Sequence, residues 1–97
     1  MNNKNIKALM SDFAIYDKQS DWVIDYCDDG QFPVIYQLFA EIELITTDIK
    51  VWKVSEKRCQ LVFDYEQGES VTKEQEAQID QLIQAAATKL HQQRTKW

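Results

Sequence analysis

The side chains in this sequence best equipped for chemistry are carboxylates, and they are concentrated. Nine of them (Asp12, Asp17, Asp21, Asp25, Asp28, Asp29, Glu41, Glu43 and Asp48) lie between residues 12 and 48 against a single base, Lys18, a local formal charge of −8 in a chain whose total is −5. Asp25, Asp28, Asp29 and Gly30 have the composition of a calcium loop, because hard cations take several oxygen ligands and a glycine lets the chain turn sharply. This stretch lacks the alternate-position ligands and the closing glutamate of an EF-hand, so the expected state is a solvated acidic turn. Paired carboxylates can also run general acid–base hydrolysis, but such a site needs a cleft. A 97-residue chain that must first enclose its own core has little material left to build one.

The other reactive residues stand alone. His91, the single histidine, has no serine, cysteine or acid at triad or metal-ligand spacing. Cys27 and Cys59 have no CxxC partner and read as small reduced core residues. With glycine only at positions 30 and 68, neither a P-loop nor a GxGxxG loop can be built. The expectation is a protein without catalytic activity, cofactor or metal. A sequence pI near 4.7 disfavours direct nucleic-acid binding, and the cluster Lys50, Lys53, Lys57 and Arg58 reads as edge protection and solubility.

What the acidic segment suits is protein recognition. It also contains Tyr16, Trp22, Tyr26, Phe32, Tyr36 and Phe39, and carboxylates interleaved with aromatics can grip a basic surface. Asp21, Trp22, Asp25, Tyr26, Asp28 and Asp29 are the expected contact residues. On a short helix the four aspartates share one side while Trp22, Val23, Tyr26 and Cys27 turn inward. In a strand, Trp22, Ile24 and Tyr26 share a face opposite Val23, Asp25 and Cys27. Only the helix gathers the acids into one patch, and the competing reading has Trp22 and Tyr26 in the core with the acids merely solvating the far side.

By size and charge, the expected function is that of a non-catalytic inhibitor of bacterial or phage type. Immunity proteins, antitoxins and nucleic-acid mimics use an acidic surface to block a toxin, nuclease or other nucleic-acid-handling enzyme. The alternative is a small acidic secretion or assembly chaperone or adaptor, dimeric, that holds its partner on an apolar surface.

These residues must be positioned by one domain spanning 1–97. Ile6, Leu9, Met10 and Phe13 form a helical stripe within residues 5–16. Thr72 and Gln75 form a capping box ahead of a helical repeat, Ile79, Leu82, Ile83, Ala86 and Leu90, with Glu74 and Glu76 at its start and Lys89, His91, Arg94 and Lys96 near its end. Between them the period falls to two: Cys59, Leu61, Phe63 and Tyr65 alternate with Gln60, Val62, Asp64 and Glu66, Ile49 to Val54 is rich in β-branched and aromatic residues, and 55–58 reads as the turn of a hairpin. The alternation of Ala40, Ile42 and Leu44 with Glu41 and Glu43 predicts a further strand.

Residues 20–39 fit either a hairpin turning at Asp28-Asp29-Gly30-Gln31 or short helices, with the balance towards helix for 33–40. The expected fold is α+β: an N-terminal helix, a three-stranded antiparallel sheet (five-stranded if 20–39 are a hairpin) and a long amphipathic C-terminal helix packed on one sheet face. The N-terminal residues lack the apolar run of a secretory signal, so a cytoplasmic protein without a membrane span is expected. Trp97 is expected to fold back on Trp52 or to dock on another subunit.

Overall fold

The computed structural model of the chain describes residues 2–19, 23–25, 29–57 and 60–95. Helix α1, Asn3–Asp12, starts where the Asn2 side chain accepts a hydrogen bond from the Asn5 amide at 2.8 Å. It stops four residues short of the expected limit. Phe13 leaves the helix in an extended conformation, and the next residues pair with a strand instead: the Val51 amide donates to the Ile15 carbonyl at 2.7 Å and the Asp17 amide to the Val51 carbonyl at 3.0 Å. Sheet pairing outcompetes the extra helical turn that the apolar spacing allows.

The chain returns to the same strand at β1, Ile24–Asp25, which pairs in parallel with Val54 and Ser55. A 3-10 turn at Asp29–Gln31 then opens directly into α2, Phe32–Ile45, with Pro33 in its first turn. The helix expected over 33–40 therefore forms, and it extends to Ile45. The predicted strand over 40–44 is instead the last part of α2. Of the alternating residues that suggested it, Ile42 is fully buried while Leu44 is 87% exposed, a helical and not a strand pattern, continuing the stripe Ile35, Leu38, Phe39 and Ile42. Parallel neighbours need a long crossover, and α2 is the crossover from β1 to β2.

Strands β2, Ile49–Lys57, and β3, Gln60–Gln67, form the expected hairpin, but Ser55, Glu56 and Lys57 belong to the ladder, opposite Val62, Leu61 and Gln60. Arg58 and Cys59, between the two strands, lie outside the described residues. The antiparallel part of the sheet is thus two-stranded. The described sheet is mixed, in the order β1-β2-β3, and neither the three-stranded meander nor its five-stranded extension forms.

Helix α3, Lys73–Thr95, begins at the expected capping box: the Gln75 amide donates to Thr72 Oγ1 and the Thr72 amide to Gln75 Oε1, both at 3.1 Å. Its main partner is α2, with a smaller contact on β3, where the Tyr65 hydroxyl donates to Asp80 at 3.2 Å. The Gln75 side chain also donates to the Ile45 carbonyl at 3.3 Å, tying the start of α3 to the end of α2.

The elements meet at Phe39. Its ring lies 5.5 Å from that of Phe13, 6.2 Å from Tyr16 and 5.7 Å from Phe63, and it is fully buried. Leu9, Ile15, Val23, Ile35, Val51, Val54 and Ile79 complete the core around it. Phe39→Ala is expected to cost about 3–5 kcal/mol, as other large-to-small aromatic core changes do. Urea unfolding read by far-UV circular dichroism measures the loss.

Candidate protein-binding segment

Of the nine carboxylates between residues 12 and 48, five have described side chains, and all five accept hydrogen bonds inside the fold. Asp12 accepts from the Tyr36 hydroxyl at 2.6 Å and joins α1 to α2. Asp17 accepts from the Gln19 amide at 3.1 Å in a local turn, and Glu41 from the Gln37 side chain one helical turn earlier at 3.1 Å. Glu43 reaches from α2 to the Ala14 and Ile15 amides, at 2.6 and 3.3 Å, and so holds the stretch that goes on to pair with Val51. Asp48 accepts from both the amide and the hydroxyl of Ser70, at 3.0 and 2.5 Å, while its own carbonyl accepts from the Gly68 amide at 2.7 Å. A Cβ at Gly68 would overlap the Asp48 carboxylate, which explains the glycine there.

The acidity of the segment is therefore partly architectural. Charge density alone does not reveal the ties made by Glu43 and Asp48. A local signal existed for Asp48 alone, because Thr46-Thr47-Asp48 has turn chemistry; Glu43 is recognisable only once α2 lies beside the end of α1.

Four of the six expected contact residues, Asp21, Trp22, Tyr26 and Asp28, lie outside the described residues, as do Cys27, Cys59 and Trp97. Asp25 sits on β1 opposite Ser55, and Asp29 opens the 3-10 turn ahead of α2. Ile24–Asp25 is strand, so the helix through 21–29 that would have gathered the four aspartates on one side does not form at its centre. Instead the segment is pinned by Val23, which is fully buried and whose carbonyl accepts from the Val54 amide at 2.6 Å. Ile24–Asp25 forms the sheet edge opposite β3.

Other features of the surface are less suggestive of chemistry. Among the described residues no group of three His, Cys, Asp or Glu side chains is placed to hold a metal ion, and no helix is long and apolar enough to cross a membrane. His91 is exposed on α3. A cleft of about 290 Å³ at the open end of the hairpin is lined by Ala14, Asp48, Lys50, Glu66 and Gly68 among others, and its Asp48 carboxylate is already bonded to Ser70. Hydrogen bonding and burial shift the tyrosines. The bond to Asp12 raises Tyr36, and burial raises Tyr16 and Tyr65, with nearby Asp17 and Asp80 adding to the effect. Comparison with known protein families, with curated proteins and with solved structures gives no match to this chain.

The two bonds from Ser70 hold the Asp48 carboxyl below its ordinary value of 3.8. A carboxyl depressed in the folded state stabilises above its unfolded value, and that contribution is lost as the pH falls from there through the lower folded value. Asp48→Asn should therefore have a lower melting temperature than the parent chain at neutral pH, and the gap should narrow as the pH is taken down through the carboxylate range. Thermal melts in a pH series check this.

Proposed function

We propose that this chain is a non-catalytic inhibitor that binds another protein, of the immunity-protein, antitoxin or nucleic-acid-mimic type. In this reading its segment Asp21, Trp22, Asp25, Tyr26, Asp28 and Asp29 occupies a basic surface on a toxin, nuclease or similar nucleic-acid-handling enzyme. The observation that carries the reading is the concentration of four aspartates with a tryptophan and a tyrosine within nine residues, in a segment whose described centre lies along a sheet edge. The other carboxylates between residues 12 and 48, Asp12, Asp17, Glu41, Glu43 and Asp48, accept hydrogen bonds within the fold.

Such a segment has two functions in a complex. Its charges raise the rate of encounter with a basic partner, an effect that acts over about 10 Å at ~0.1 M salt and weakens as salt rises. Its aromatics supply the apolar contact that slows dissociation. Val23 is buried in the core and Ile24–Asp25 pairs with β2, which limits the ordering cost of binding at these residues.

A variant carrying Asp25→Ala, Asp28→Ala and Asp29→Ala tests the reading. Its far-UV spectrum and melting temperature should stay close to those of the parent. A basic protein that the parent retains from host lysate at low salt, and releases as salt is raised, should fail to bind the variant. Equal retention by parent and variant, or a partner that survives high salt, overturns the reading in favour of an apolar chaperone surface.

A further inference from the structure

Opposite the helices, the hairpin presents an outer face of defined composition. Val51 and Val54 are both fully buried, yet residues three apart on a regular strand point to opposite sides. A bulge resolves the conflict: the register passes from Val51↔Tyr65 to Lys53↔Asp64, leaving Trp52 as the extra residue. The consequence is that Trp52 and Lys53 both stand on the outer side. Trp52 is 42% exposed there, and Val62 on the neighbouring strand 38%. In-register pairs Lys50↔Glu66 and Lys53↔Asp64 share the face, with the bases on β2 and the acids on β3, and it ends at Ser55↔Val62, where Ser55 is buried.

We propose that this face joins two copies of the chain, stacked sheet against sheet around a two-fold axis parallel to the strands. That axis exchanges the rows: β2 of one copy lies over β3 of the other, so Lys50 and Lys53 face Asp64 and Glu66 of the second copy while the two Trp52 indoles leave water. A two-fold axis running across the strands would instead set lysine over lysine. The pattern is thus its own complement in one orientation only, which is what an isologous contact requires. Each copy carries −5, so two copies repel over most of their surfaces, whereas here two bases are matched by two acids.

The face is small. Eight residues at about 3.3 Å each, two strands wide, give a footprint below the ~800 Å² per partner of a standard interface. The dimer is accordingly reversible and forms with rising concentration. It uses Lys50, Trp52, Lys53, Asp64 and Glu66 and none of the residues of the acidic segment, so its failure would leave the salt-sensitive capture by Asp25, Asp28 and Asp29 untouched.

Sedimentation velocity over a concentration series tests it, with far-UV spectra to verify folding. The parent should pass from monomer to dimer, and Trp52→Ala and Lys53→Asp should each weaken association about tenfold or more. A double variant, Lys53→Asp with Asp64→Lys, restores the opposite-charge pairing across the two-fold and should recover the dimer. A parent chain that stays monomeric into the millimolar range, a dimer indifferent to either single change, or a double variant that remains monomeric overturns the proposal.

Discussion

The structure depends on one packing constraint, the burial of the Phe39 ring among three other aromatic rings. Phe13 comes from the end of α1, Tyr16 from the stretch that pairs with Val51, and Phe63 from β3, so one residue of α2 gathers rings from three separate parts of the chain. Aromatic pairs at these separations add specific geometry to the area they bury. That geometry explains why α1 ends where it does: continuing the helix beyond Asp12 would carry Phe13 away from Phe39 and take Ile15 and Asp17 out of reach of Val51. It also accounts for the length of α2, because a strand over 40–44 would shorten the helical stripe in which Phe39 and Ile42 face the core together.

Around that core, β2 acts as the central strand. It pairs with β3 on one side and, on the other, with two separated pieces of the same N-terminal stretch, at Ile15–Asp17 and at Ile24–Asp25. Carboxylates hold the junctions. Glu43 fastens the first of those pieces to α2, Asp12 links α1 with α2, and Asp48 joins the entry to β2 to the turn between β3 and α3. Hydrogen bonds to charged groups are stronger than neutral ones, and their directionality makes such bonds suited to fixing connections that apolar packing leaves loose.

This division of labour shapes the functional reading. An acidic protein needs its negative charge somewhere, and here a share of it is committed to backbone amides and hydroxyls within the molecule. What stands out after that share is set aside is the aspartate-rich stretch around β1, beside two aromatics, on the sheet edge opposite β3. The outer hairpin face is the opposite case, balanced in charge and carrying an exposed indole. Two surfaces of such different chemistry suit two different contacts.

By itself the sequence determined the α+β class, the start of α3 and the strand character of β2 and β3, because these rest on local signals: the Thr72–Gln75 capping box, helical repeats of apolar residues, and the recurrence of Leu61, Phe63 and Tyr65 at every second position. It also located the aspartate-rich stretch, since charge density needs no fold to be seen. Only the tertiary structure decided that 40–44 is helix, that β1 joins in parallel, and that Trp52 is the bulged residue. Periodicity over five residues cannot separate a strand from the end of a helix whose opposite face is wet, as Leu44 shows. A two-residue strand such as Ile24–Asp25 has no pattern of its own; it exists because the edge of β2 opposite β3 pairs with it at the point where Val23 enters the core. The bulge likewise follows from the need of Val51 and Val54 to reach the same core, a demand set by the helices packed beneath them.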